Sequence, residues 1–444
     1  MSKREAVLTG LGVLAPVGID KDTFWNALLE QKSGVGFLNI ETADENLRPM
    51  GSEVPEFHAK DYVKPRKNIK VMSRDIQLAF VSACLACRDA GLVTEEEGRN
   101  VDPDRFGVVF GSDLIGAEID MQLDTYRAGI ETDRTGRGTY NFSRWGTDAM
   151  EKIFPLWMLK FLPNMPACQI CIGLDARGPS NSITLCRGSS LAAIIEAVRT
   201  IETGRADVMI GGGCGNRANQ DFQTRAKSYF SVAPRQMDPC RVPRPFDADR
   251  CGRVMGEGSG AFVLESREHA EARGAKIYAA VKGFAETNEP AFAGGQWAVS
   301  DGSLEPQGGC LPFGAAIRRS MELALKRADL KPADIGLVNP DGLGSAYDDR
   351  IEAESIRTVL GDVPVSATKG NFGDLGSGTG AVELAAAVLA LETGVIPPTR
   401  NHDTTAADCP INVVHGKSQP LKSSAILKMN QTRQGRAFAV VLTK

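Results

Sequence analysis

The sequence predicts an α/β fold made of two similarly patterned halves. Short apolar runs suited to buried strands alternate along the whole chain with apolar residues at helical spacing. Glycines stand at the ends of many of these runs, where the chain must turn. From residue 276 the same rhythm begins again.

Glu5–Leu11 reads as a buried strand ending at Gly10 and Gly12. Asp20–Gln31 reads as a helix with Asp22 or Thr23 as its N-cap. Met72–Ala90 has apolar residues at helical spacing and stops at Gly91. Arg105–Gly111 is a strand, Ser189–Thr203 a helix ending at Gly204, and Asp207–Gly211 a strand that runs into glycines. Lys276–Gly283 resembles the first strand, and Phe313–Ala328 and Asp349–Leu360 are helices with the strand Ile335–Asn339 between them. Gly378–Thr393 is a long Ala- and Leu-rich helix, and Ala437–Leu442 is a closing strand. The division falls at 266/267, giving halves 1–266 and 267–444. No Pro/Gly/Ser linker lies there, so the halves are expected to fuse into one body. Residues 112–166, rich in Thr, Arg, Asp and aromatics, read as an insertion capping the core.

Composition narrows the function. The 444 residues are 42% hydrophobic and 24% charged, which is ordinary for a globular chain and excludes a disordered or fibrous one. With 51 basic against 55 acidic residues the net charge is −4, which argues against nucleic-acid binding. No secretory leader and no run of about 18 apolar residues is visible, so a cytoplasmic protein with reduced thiols and no membrane span is expected. Two CxxC pairs, Cys84–Cys87 and Cys168–Cys171, are far apart in sequence, and the first lies in a helical pattern; no metal or cofactor is expected. The four histidines, His58, His269, His402 and His415, limit imidazole chemistry.

The stretch from Gly178 to Ser190, GPSNSITLCRGSS, enters a tight turn from a strand and leaves into a helix. Such a turn presents one side chain at a helix N-terminus, a place that favours an anionic nucleophile. Here the chain resembles the β-ketoacyl synthase family of thiolase-like condensing enzymes. The resemblance extends over VLTGLGVLAPVG at 7–18, PNMPACQICIGLDARGPS at 163–180, GRADVMIGGG at 204–213 and RPFDADRCGRVMGEGSGAFVLE at 244–265. It implies a thiolase-like fold, with the pseudo-repeated halves in a five-layered αβαβα core. It also implies a dimer, either of this chain or with an active ketosynthase, and an acyl carrier protein as partner.

The family's reaction uses a Cys at the turn and two His residues, the thiolate taking an acyl chain and the imidazoles assisting decarboxylation of malonyl. At those three positions this sequence has Arg187, Asp341 and Asp374. Lys369 is retained, as is Glu352 at the position of its acidic partner. The gating loop of the family falls at 431–437, where QTRQG places Arg433, Gln434 and Gly435. A guanidinium stays protonated and cannot serve as a nucleophile. Two readings follow. Arg187 and the acids form a self-satisfied ion cluster in a disused site, or Asp341 and Asp374 work as acid or base with Arg187 binding a carboxylate or thioester oxygen.

Within the family, the run DDRIEAESI at 348–356 after Asp341 is similar to that of chain length factors, non-condensing partners of an active synthase. Those carry Gln at the nucleophile position, and this chain departs with Arg187. The resemblance implies a partner subunit that shapes an acyl or polyketide tunnel. The alternatives are a carrier-protein-dependent acyltransferase with altered chemistry, or a carrier-protein binding module. Lys60, Lys64, Arg66, Lys67 and Lys70 form a basic cluster that reads either as a docking site for the acidic carrier protein or as a solvated surface run.

Overall fold

The computed structural model describes residues 4–444 except 41, 43–47, 95–97, 114, 117–118, 290–295, 301–302, 308–313 and 433. The first half contains β1 (Ala6–Leu14), α1 (Lys21–Leu29), α2 (Arg74–Asp89), β2 (Phe106–Gly111), α3 (Ile119–Ala128), α4 (Met158–Phe161), α5 (Met165–Leu174) and β3 (Ser180–Ile183). It continues with α6 (Ser189–Glu202), β4 (Val208–Asn216), α7 (Gln220–Tyr229) and β5 (Met255–Ser266). After α8 (Arg267–Ala272) come β6 (Ala279–Asn288), α9 (Ala315–Ala328), β7 (Ile335–Asn339), α10 (Ala346–Leu360), β8 (Pro364–Val365) and α11 (Lys369–Phe372). The chain ends with α12 (Thr379–Thr393), β9 (Asn412–Val413), β10 (Ala425–Gln431) and β11 (Arg436–Thr443).

The sheet runs β9-β8-β7-β10-β11-β6-β1-β5-β4-β2-β3. Outward from the central antiparallel β1–β6 contact, both wings repeat one pattern. The next two pairings are antiparallel, and the two after them parallel. Helices fill three further layers. α2 and α5 cover the outer face of the first wing, and α9 and α10 that of the second. α6 and α12 lie between the wings and touch strands of both. The result is the thiolase-like five-layered α/β architecture.

Several boundaries differ from the sequence reading. Gly10 and Gly12 do not end β1, which continues to Leu14. They let α2 approach instead: a Cβ on Gly12 would lie 2.0 Å from the Ser82 carbonyl oxygen. The glycine run after Gly211 likewise stays in β4 up to Asn216, because a Cβ on Gly212 would meet the Gly260 oxygen at 2.2 Å. The N-cap of α1 is Asp20, not Asp22 or Thr23. Its Oδ1 accepts from the amides of Asp22 (2.9 Å) and Thr23 (2.8 Å). The start of the helix expected at Phe313 lies outside the described residues, and α9 is described from Ala315. Sequence reasoning missed β5 and β10. β5 is buried along both faces and its glycines hide the strand pattern.

The CxxC pairs sit on α2 and α5, which pack together in one apolar cluster. Among the described residues no three metal-ligating side chains come together. No helix among them is long and apolar enough to cross a membrane.

Candidate functional site

The turn before α6 and the loops at the ends of β7, α11 and β10 meet beneath the central helices. Cys186 takes a left-handed conformation (φ 49°), and its carbonyl accepts from Ser189 Oγ at 2.7 Å and Ser377 Oγ at 2.9 Å. These bonds fix the turn and aim Arg187 inward, 2% exposed, just ahead of α6. A Cβ on the following Gly188 would meet the Phe438 ring at 2.2 Å, so the helix start is seated directly on β11. A cation here opposes the positive end of the α6 dipole and needs carboxylates close by.

It has them. Arg187 Nε lies 3.3 Å from Asp341 Oδ2, and Nη1 lies 3.7 Å from Asp374 Oδ2. Nη2 donates to the Gln431 carbonyl at 3.3 Å. Asp341 also accepts from Lys369 Nζ at 2.6 Å and Asn430 Nδ2 at 3.0 Å. Asp374 pairs with Arg217 at 3.1 Å and with Arg253 at 3.5 Å. Both aspartates are fully buried.

The acidic partner of Lys369 is not Glu352. Lys369 Nζ bonds Glu383, which also takes Lys428 Nζ at 2.7 Å and Asn430 Nδ2 at 2.9 Å. Glu352 instead accepts from the amides of Asp341 (2.7 Å) and Gly342 (2.8 Å), and so holds the loop that carries Asp341. The ion-paired network is larger than the five predicted residues. It joins Arg187, Arg217, Arg253, Lys369 and Lys428 to Asp113, Asp341, Asp348, Asp374 and Glu383. Only Asp113 and Asp348, at 18% and 21% side-chain exposure, reach toward solvent. On that side Phe222 and Phe230 stack on one another and cover the guanidiniums of Arg217 and Arg253.

Glu383 and Lys428 had a sequence signal. Glu383 is a charge in the apolar middle of α12 and Lys428 a charge directly after the apolar run Ala425–Leu427 of β10, where each must be paired if the element is buried. Arg217 and Arg253 had none, because arginines near glycine-rich loops are ordinary surface residues.

Burial alone would favour neutral groups here, and at Arg187, Asp341 and Asp374 the neighbouring charges outweigh it. Burial opposes the charge on Arg187, but Asp341 and Asp374 hold the guanidinium protonated. Burial pulls Asp341 up, yet Lys369 and Arg187 hold it well below the carboxylate range. Asp374 is lowered in the same way, with Arg217 the largest contributor after burial. Glu352 goes the other way, pushed to about 8 by burial and by Asp341. Neither Asp341 nor Asp374 is poised to exchange a proton near neutral pH. Cys186 is no substitute nucleophile, since burial and Asp113 raise its thiol and keep it protonated.

The remaining predicted residues lie around this centre. Gln434 and Gly435 form the short hairpin turn between β10 and β11, and Gly435 takes φ 83°. Gln434 Nε2 approaches Cys186 Sγ at 3.9 Å, while Arg433 lies outside the described residues. Lys60 on one 3-10 turn, Lys64 in the bend after it, and Arg66, Lys67 and Lys70 on a second 3-10 turn are all exposed, ahead of α2 and outside the ion network. None of the histidines joins the centre. His402 is buried between the Pro245 carbonyl and Thr405 Oγ1, both at 2.9 Å, and His269 lies 2.6 Å from Glu265. His58 and His415 are exposed.

Residues 3–270 match the beta-ketoacyl synthase N-terminal domain and residues 296–403 its C-terminal domain. The chain is 31% identical to 3-oxoacyl-acyl-carrier-protein synthase 2 of Synechocystis, over 95% of this chain and 93% of that protein. It is 29% identical to the ketoacyl synthase alpha subunit of the tetracenomycin polyketide synthase of Streptomyces glaucescens, over 100% of this chain and 98% of that one. The solved ishigamide ketosynthase/chain length factor superposes with a TM-score of 0.83 at 25% identity, over 100% of this chain and 99% of its own. These matches run through the very turn and loops that carry Arg187, Asp341 and Asp374, and the chain belongs to the β-ketoacyl synthase family of fatty acid and polyketide biosynthesis.

Proposed function

We propose that this chain is a non-condensing ketosynthase-like subunit that pairs with an active synthase and shapes its acyl or polyketide tunnel. The carrying observation is the Arg187 side chain, sealed between two buried aspartates where a condensing enzyme needs an open nucleophile. A reading in which Asp341 or Asp374 transfers protons has no support in the geometry. Both are buried, fully bonded and held anionic. Arg187, Asp341, Asp374, Lys369 and Glu352 are thus structural in this reading, and the Gln434–Gly435 turn closes the site rather than gating it.

The pairing surface is the free edge of β3, which ends the sheet, together with Ile172 on α5, 65% exposed. Lys64, Arg66, Lys67 and Lys70 form the face offered to an acidic carrier protein. The halves divide at 266/267, with 112–166 as the cap, and the protein works in the cytoplasm. The test is turnover. Purified alone with acyl- and malonyl-carrier protein, the chain should give no ketoacyl product; added to an intact Cys-His-His synthase, it should change product length. Product formed by this chain alone would overturn the proposal.

A further inference from the structure

β3 ends the sheet and pairs with β2 alone among the described strands. The carbonyls of Pro179 and Ile183 take the amides of Val108 in β2 and of Ser112 just after it, each at 3.0 Å. Residues along a strand turn their backbone groups to alternate sides, so Ser180 and Ser182 turn theirs to the open edge. The Ser182 amide is not free there. It donates to Oδ1 of the preceding residue, Asn181, at 2.9 Å. Asn181 is exposed, yet its carboxamide is held in place. Its Nδ2 donates to both carboxylate oxygens of Glu196 on α6, at 2.9 and 3.1 Å, and this leaves Oδ1 for the Ser182 amide. An Asn side chain that bonds a neighbouring backbone group in this way competes with the ladder for it.

Given the pairing with an active synthase proposed above, on which this rests, we infer that Asn181 sets the choice of partner at the β3 edge. It disfavours a second copy of this chain and favours a different strand whose own outward amides are free. The reason is symmetry. A twofold pair of identical copies meets through the same surface on both sides. If that pair uses both outward-facing residues of β3, each copy must offer its Ser182 amide. Each amide is already taken, so two ladder bonds go unmade. A partner strand without such a cap loses only the one bond that this chain withholds. An open edge guarded in this way is a poor template for copies of itself, and the choice of partner comes from what the surface refuses.

The test measures association rather than turnover. Self-association is followed by sedimentation equilibrium, and binding to an intact Cys-His-His synthase by titration of the same samples. The wild-type chain should bind the synthase more tightly than it binds itself. Asn181→Gln keeps a donor for Glu196 but moves the side-chain oxygen one carbon away from the Ser182 amide. With one net hydrogen bond worth about fivefold in affinity, it should strengthen synthase binding about fivefold and self-association about twenty-fivefold. Asn181→Val should do the same. The inference is overturned by wild-type self-association as tight as synthase binding, or by no gain in self-association for Asn181→Gln. Equal gains toward both partners would also overturn it, as would a gain for Asn181→Val alone, since that would mark an apolar contact instead of a freed amide. If neither the wild type nor the variants bind the synthase, the pairing reading fails, and self-association still decides the role of Asn181.

Discussion

Arg187 is the residue on which the site turns. Removing it leaves Asp341 and Asp374 short of one counter-ion each, although Lys369, Arg217 and Arg253 remain. Arg187→Ala should therefore destabilise by about 3 kcal/mol, the lower end for breaking a buried pair, measured by urea unfolding. Arg187→Cys should restore a thiol at the turn without restoring condensation, because no imidazole stands at 341 or 374; ketoacyl product from this variant would contradict that. A second buried acid sets a pH dependence. Burial, with Asp113 and Glu257 adding to it, pushes Asp75 to about 7. Its folded pKa is raised, so the folded state holds the extra proton, and stability falls as pH climbs from the unfolded carboxylate range through about 7. Asp341 and Asp374 are depressed, and their contribution is lost only in strong acid. Asp75→Asn should raise stability by about 3 kcal/mol more at pH 8 than at pH 5, lessening the fall of a thermal-melt profile over that range while Glu352 still contributes to it. At this scale motif register brings Arg187, Asp341 and Asp374 together, as their ion pairs do, but it mispairs Lys369 with Glu352, because the register carried over from the family does not say which acid faces the ammonium.

The helices and strands show why glycine was misread as punctuation. In β1 and β4 it is a packing residue, present because a neighbouring backbone occupies the Cβ position. Gly12→Ala should push α2 off β1 and cost about 3 kcal/mol, whereas Gly36→Ala, with nothing within 4 Å of its Cβ, should be near neutral. Equal urea midpoints for the two variants would refute this. Elements with a clean period, such as α2, α6 and Ile335–Asn339, were legible within a residue or two. β5 and β10 were not, since one is glycine-rich and the other carries Lys428 and Asn430 in a buried strand. Both features make sense only once the ion network and the close sheet packing exist.

For the whole molecule, the open β3 edge and the basic face make separate predictions. The Ser182 amide turns onto Asn181 Oδ1 at 2.9 Å rather than into the pairing with β2. Ser182→Pro should therefore keep the sheet and block edge-to-edge association, lowering the fraction that sediments as a complex with an intact synthase. Changing Lys64, Arg66, Lys67 and Lys70 to Glu should lower affinity for an acidic carrier protein at least tenfold at low salt, and unchanged binding would reject the docking face. The alternation of elements and the motif register were enough to determine the fold class and the repeated halves, because these depend on local pattern and position along the chain. Only the tertiary structure decided that Arg217, Arg253, Glu383 and Lys428 complete the cluster around Arg187, and that it is sealed. Ion pairing in a buried site depends on which side chains the sheet and central helices bring within about 4 Å, and residues as distant as 187, 341 and 374 show no such proximity along the chain.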